Sequence, residues 1–594
     1  MPSRERSLTP SHTRDQIHTI ARSTFAGFLQ SDLMPQGMQA PALIWVAAFL
    51  LAPGLFLPVS ALNKYAMIRR FFPERMEPTL WSDRMLYLIM SAGAIGLVAV
   101  VLWDTLFPAR RDAFVLTPLP VPLSAQMLGR LAGLMMLCGA FVVALNLLPT
   151  LFFPISAAGQ FSEMPRRMIA HAVTTSAADA CVFFSVTALQ GVVILAIGRR
   201  FAARIASFAQ AAAVLVLLLS LLFSSGIGEL TRRAFVGGTM SDPVLQFLPP
   251  AWFLGLYEFL AGTTRAVMTP LAMRAVLATV IPMIITGAIY AFGYQRLLAR
   301  AVETPPRSTR SWATRLASGT VRRLWIRRPE DQAIAAFLLR AISRSSRHSM
   351  LMSIYIGAAL AMMVTFVLPD ILRFGASAFA KPSLSVLALP LVLSVGLAVG
   401  VRILMTIPAE MSARWIFQTS AITPQRIDAA THKALLLVVL PPVAVLAFAI
   451  AAPLWGLSLG LTHMVFCAAL GLLLCETLLL KFHGVPLTRP YVPGGSRFHM
   501  LWGAYFSIFL TYTFTSVTLE RGLWQWYGAR GVLNAAAVFA GCAFLLWARR
   551  KYALRDIEAV PFEAEEPEDQ MFQGFNLSEI QAAQAVATHR APDR

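Results

Sequence analysis

Charge is scarce in this sequence. Only 13% of its 594 residues are Asp, Glu, Lys or Arg, against 57% hydrophobic, and the mean hydropathy is +0.64. A soluble chain of this length needs far more polar surface to cover its domains, so the composition argues against a soluble protein. Cysteine is scarce as well. All five (Cys138, Cys181, Cys467, Cys475 and Cys542) fall inside apolar segments, with no CxxC or Cys/His metal spacing. Neither a disulfide framework nor a metal site is expected from them. Catalytic signatures are missing: there is no GxxxxGK[ST] phosphate loop, no GxGxxG opening a helix after a strand, no HExxH and no GxSxG. No connection between apolar runs is long enough to hold a soluble catalytic domain. The chain is therefore read as a non-enzyme without a cofactor, and any ATPase that drives it is another polypeptide.

What is abundant is the apolar run of about 20 residues, the length that crosses a hydrocarbon core. Such runs are expected near 42–62, 85–107, 126–152, 173–198, 203–225 and 271–296. After a basic linker they resume near 351–370, 383–406, 433–457, 459–481, 500–519 and 529–548. The expected fold is all-α: a polytopic membrane protein of about twelve spans in two six-helix halves, with interfacial amphipathic helices. The expected divisions are a cytoplasmic N-terminal amphipathic segment (1–40), a first half (41–297), a linker (298–350), a second half (351–548) and an acidic, disordered cytoplasmic tail (549–594). With no cleavable signal peptide in sight, the first span is expected to direct insertion.

The net charge of +20 would suggest nucleic acid in a soluble protein. Here the excess clusters between spans, which points to the positive-inside bias and to anionic lipid headgroups, not to nucleic acid. Eleven arginines between Arg300 and Arg347 face only Glu303, Glu330 and Asp331, so the linker should be cytoplasmic, and with six spans on either side both termini join it in a cell (inner) membrane. Arg549, Arg550 and Lys551 after the last run agree. Residues 63–84 do not fit, because a loop expected outside carries Lys64, Arg69, Arg70, Arg75 and Arg84.

Two segments have helical amphipathic spacing. Ile17, Ile20, Ala21, Phe25 and Phe28 fall opposite Arg14, His18 and Arg22; Ile334, Phe337, Leu338, Ala341 and Ile342 fall opposite Arg340, Arg344 and Arg347. Each precedes a six-span half, and each is expected to lie in the headgroup plane.

The loop after the second run is distinctive. An Arg110-Arg111-Asp112 turn leads to Leu116, Pro118 and Leu119, then Ser124, Gly129 and Arg130 at the start of the next run. The prolines mark the ends of a short surface helix between two spans. This pattern resembles the coupling loop of ABC-2-type exporter permeases, in which a charged turn, a Leu…Pro-Leu/Val step, a hydroxyl residue and Gly-Lys/Arg occupy the same loop. The Gly-Thr usual in that family after the charged turn is replaced by Ala113-Phe114. The resemblance implies a half-unit of one amphipathic helix and six spans, and a partner: a separate P-loop ATPase, in two copies, seated on the cytoplasmic loops. The second half echoes the plan 300 positions on, from Ile407-Pro408 through Glu410, Arg414, Trp415 and Phe417, without the Arg-Arg-Asp turn.

Three ionisable residues are expected inside spans, each nearer an end than the centre: Asp179, Arg402 and Glu476. Each costs about 2.5–3.5 kcal/mol at mid-bilayer on insertion scales unless it is partnered, so each is either structural or a substrate or proton site. His171 and His463 read as lone structural histidines, and Trp524, Trp526 and Tyr527 as an external aromatic belt. Two alternatives stay open beside the exporter reading: an ion-coupled carrier of six-plus-six architecture, and a membrane scaffold. The substrate, whether small molecule, lipid or peptide, is not legible.

Overall fold

The computed structural model describes residues 10–29, 64–102, 118–157, 161–197, 199–223, 247–262, 268–302, 328–407, 422–480 and 498–555, with a few short stretches between them. Regular structure among the described residues is helical throughout. The helices are α1 (Pro10–Leu29), α2 (Met76–Val101), α3 (Leu123–Ala157), α4 (Met164–Ile197), α5 (Arg199–Leu222), α6 (Pro249–Ala261) and α7 (Met268–Val302). They continue as α8 (Pro329–Arg344), α9 (Ser346–Phe374), α10 (Leu389–Leu404, preceded by a single turn over Leu384–Leu387), α11 (Pro424–Trp455), α12 (Leu457–Leu479) and α13 (Phe498–Ala553).

Among the described residues, nine helices are long and apolar enough to cross a membrane, with Phe208–Leu222 in α5 as a shorter apolar helix. The ninth, α13, is not straight. Glu520 and Phe539 would be about 28 Å apart on one helix at 1.5 Å per residue. Yet Glu520 Oε1 lies 2.8 Å from His463 Nδ1, and the Phe539 ring lies 5.8 Å from that of Phe466, one turn further along α12. The chain folds back at Gly528, whose φ of 60° and ψ of −153° break the helix in a region essentially confined to glycine. The two arms give α13 the length of two crossings. The expected first span, 42–62, lies outside the described residues, as does the acidic tail beyond Arg555.

The halves share a plan. In the first, α4 packs against α2, α3 and α7; in the second, α12 packs against α10, α11 and α13. They meet where α5 lies along α9, an approach close enough that a methyl on Gly357 would come within 2.9 Å of the Ala211 carbonyl oxygen. Small residues at such crossings let two backbones approach in lipid.

Both amphipathic segments are helices, but each turns its apolar face onto protein. α1 lies on α3, where Ile20 and Thr24 fill the space above Gly129 and Gly133 and Arg14, His18 and Arg22 stay exposed. α8 lies on α11, burying Ile334, Ala335 and Leu338 with Ile427, Ala430 and Ala434. The end of the bundle that carries α1 and α8 is called here the linker face. The opposite end, with α6 and Gly528, is the hairpin face.

Short α6 lies between the fifth and sixth expected spans of the first half and was not expected. Pro249 and Pro250 start it and Gly262, at φ 89°, ends it. Its Glu258 forms a buried ion pair with Arg84 of α2, whose guanidinium lies 4.3 Å from the Tyr257 ring centre. Lys64 in turn pairs with Asp83 at 2.8 Å. Two of the five cations in the loop that broke the charge pattern are thus neutralised within the protein. In the same loop Tyr65 donates to Asp83 Oδ2 at 2.6 Å; burial first, and then that carboxylate, push its phenol well above the ordinary value.

Candidate functional site

Three polar assemblies stand out in the apolar bundle. The first is the loop between α2 and α3 on the linker face. Arg110, Arg111 and Asp112 lie outside the described residues; Leu116, Pro118, Leu119, Ser124, Gly129 and Arg130 are described. Arg130, buried at the start of α3, donates from Nη2 to the Phe107 carbonyl at 3.0 Å. Tyr290 of α7 donates to the neighbouring Leu106 carbonyl and stacks on Phe107 at 5.4 Å between ring centres. Gln126 donates to the Val121 carbonyl at 3.1 Å. The loop is therefore tied at both feet, to α3 and to α7. Its crest is apolar and uncovered: Phe114, Val115 and Leu119 are each about half exposed, Pro118 is exposed, and Leu116 tucks partly under. Apolar side chains held out on a braced loop are what a docking knob needs.

In the second half, Glu410, Arg414 and Trp415 lie outside the described residues. Phe417 is described, and it is buried, its ring 5.6 Å from that of Phe337 on α8. Of the motif's echo, this residue belongs to the packing of α8 and not to an exposed crest.

The second assembly lies deep in the first half. Asp179 sits fifteen residues past Met164 and eighteen before Ile197, so it is at the middle of α4 and not near its end. The expectation failed because α4 begins nine residues earlier than its apolar run, through the polar turn Met164–Arg167. Asp179 Oδ2 accepts from Ser91 of α2 at 2.9 Å and from Asn146 of α3 at 2.6 Å. Its other oxygen, Oδ1, is buried with no hydrogen-bond partner among the described residues. Three helices thus converge on one carboxylate.

The third assembly is a charge network on the linker face of the second half. Glu476 lies three residues from the end of α12, where it was expected. Its Oε1 is 2.5 Å from His432 Nε2 of α11, and its Oε2 is 3.2 Å from Arg550 of α13. Arg550, seen in sequence only as a flanking cation, is buried and also pairs with Asp428 at 3.1 Å. Lys433 pairs with Asp331 at 2.6 Å, and Arg426 pairs with Glu330, pinning α8 to α11. Arg402 donates from Nε to the Leu478 carbonyl at 2.9 Å, and its guanidinium lies 4.4 Å from the Phe482 ring centre.

Neither histidine read as lone is isolated. His171 is buried among Tyr87, Phe153 and Tyr257, and His463 pairs with Glu520. Of the expected belt, Trp526 and Tyr527 are exposed and Trp524 is half-buried. Sequence reasoning missed Ser91, Asn146, Arg84, Glu258, His432 and Glu520. Asn146 carried a usable signal, an amide inside a long apolar run. The others gain meaning only from partners 44 to 174 positions away.

These features are those of a multi-pass helical membrane protein. No protein-family model, no curated protein and no solved structure matches the chain.

Proposed function

We propose that this chain is the membrane-spanning permease of an ATP-driven exporter in a cell membrane, energised by a separate P-loop ATPase. In this reading it has twelve spans in two halves, with the linker face and both termini cytoplasmic. The observation that carries the proposal is the braced loop with its uncovered apolar crest, in the segment that resembles the ABC-2 coupling loop. A crest seated in an ATPase cleft transmits force only if its base is rigid, and the contacts of Arg130, Tyr290 and Gln126 supply that rigidity. The tie of α8 to α11, by two ion pairs and an apolar face, makes the amphipathic helix move with a span, as alternating access requires. The test pairs Arg111→Glu with Leu116→Asp. The double variant should insert and purify normally but lose association with the ATPase; retained association overturns the proposal.

A second reading, an ion-coupled carrier, draws on Asp179, a mid-helix carboxylate with one oxygen unpartnered among the described residues. Purified protein that transports on an ion gradient with no ATPase present would establish it in place of the exporter.

A further inference from the structure

The hairpin face carries a polar site unrelated to either the braced loop or Asp179. A cavity of about 140 Å³ opens where residues 381–387, the start of α12 and the first arm of α13 meet. Lys381, Leu387, Glu520, Arg521 and Trp524 line it. Glu520 is only 4% exposed. Its Oε1 lies 2.8 Å from His463 Nδ1, while Oε2 is buried and has no hydrogen-bond partner among the described residues. Lys381 and Arg521 are exposed on the same cavity, and neither makes an ion pair among the described residues.

Glu520 lines the cavity while its Oε2 is enclosed without a donor among the described residues, so a cation held in the cavity offsets the carboxylate's charge at close range. The half-buried Trp524 ring adds a second attraction for an ammonium group. At the mouth the sign reverses, with two exposed cations that make no ion pair among the described residues. A simple cation would have to pass Lys381 and Arg521, and a simple anion would meet Glu520. Only a molecule carrying both charges satisfies both ends, and this built-in rejection is how specificity arises.

We propose that this cavity binds a small zwitterion, its ammonium against Glu520 and Trp524 and its anionic group against Lys381 and Arg521. A cavity needs roughly 10–15 Å³ to admit a water, so this one takes a group of headgroup size and not a whole lipid. The site lies about two turns from Gly528, beside the exposed Trp526 and Tyr527, residue types that favour the headgroup level. The zwitterion can therefore come from an ethanolamine lipid headgroup or from a free solute, and the chemistry of recognition is the same.

The test uses the full chain in nanodiscs and O-phosphoethanolamine as the soluble probe, read by calorimetry. Saturable binding is expected. It should weaken about tenfold or more in Glu520→Gln and in Lys381→Gln combined with Arg521→Gln, the loss typical of a charged hydrogen bond. Ethylammonium and inorganic phosphate should each bind far more weakly than the zwitterion. If the occupant is a lipid headgroup, nanodiscs of phosphatidylethanolamine should mask the site and raise the melting temperature relative to phosphatidylglycerol; if it is a free solute, lipid identity should not matter. Equal binding by wild type and the Lys381/Arg521 variant overturns the proposal. So does the absence of both probe binding and any ethanolamine-lipid effect on melting. Because Lys381 and Arg521 are exposed, their variant stays informative even if Glu520→Gln fails to fold.

Discussion

Phe107 and Ile407, three hundred positions apart, each offer a backbone carbonyl that a basic side chain captures as the chain leaves a span. Arg130 Nη2 reaches Phe107 at 3.0 Å and His348 Nε2 reaches Ile407 at 3.1 Å. In both places a proline follows in the sequence, so the backbone turns away from helix at that carbonyl. The captor comes from α3 in the first half and from the start of α9 in the second, where Ser345 Oγ lies 2.8 Å from His348 Nδ1. The halves solve the same problem with different helices, which is why the sequence echo between their loops is faint.

Removing the first captor should loosen the loop without removing the crest. Arg130→Met keeps the length of the side chain and leaves the buried Phe107 carbonyl without this donor, which costs about 1–3 kcal/mol. The expected outcome is a lower melting temperature and faster proteolysis at 109–117. An unchanged melting temperature and unchanged cleavage would show that Tyr290 and Gln126 hold the loop without Arg130.

The buried pair of Arg84 and Glu258 gives a sharper stability test. Either Arg84→Met or Glu258→Gln leaves one charged or polar partner stranded, and breaking such a pair typically costs about 3–5 kcal/mol. Arg84→Met combined with Glu258→Leu removes both groups and should recover most of that loss. Melting curves of the three variants in one detergent decide it: additive losses would mean that the two residues do not act as a pair.

The all-α, many-span character was legible in the sequence because apolar run length is a local signal. Asp179 was visible too, but its setting was not. The polar turn before α4 hid the helix start, and Ser91 and Asn146 become partners only through packing. Gly528, where α13 folds back, lies in the gap between the runs expected near 500–519 and 529–548, although the sequence does not show that α12 receives both arms. α6 escaped because its thirteen residues are too short to read as a crossing, and with it went Glu258, the residue that neutralises Arg84.

Gly528 should tolerate no side chain. Its φ of 60° with ψ of −153° lies where a Cβ is strained, at a cost of about 1–3 kcal/mol. Gly528→Ala should lower the melting temperature, whereas Gly522→Ala, in the same arm and with open space around its Cβ position, should not. Equal melting of the two variants would mean that the hairpin does not depend on this backbone conformation.

Asp179 separates the two functional readings. Asparagine in its place has nearly the same shape, and one oxygen can still accept from Ser91 or Asn146, so Asp179→Asn should fold. Asp179→Leu would strand both donors in the apolar bundle and should destabilise it by about 1–3 kcal/mol. If ATP drives transport, Asp179→Asn should keep most of the ATP-dependent flux in proteoliposomes, because no proton or ion has to bind there. In an ion-coupled carrier the same variant should abolish gradient-driven uptake while still permitting exchange, since the coupling charge would be gone. Retained ATP-dependent flux together with no gradient-driven transport in the wild type would rule out the carrier. Loss of all flux from a well-folded Asp179→Asn would move Asp179 from a packing role to the transport path itself.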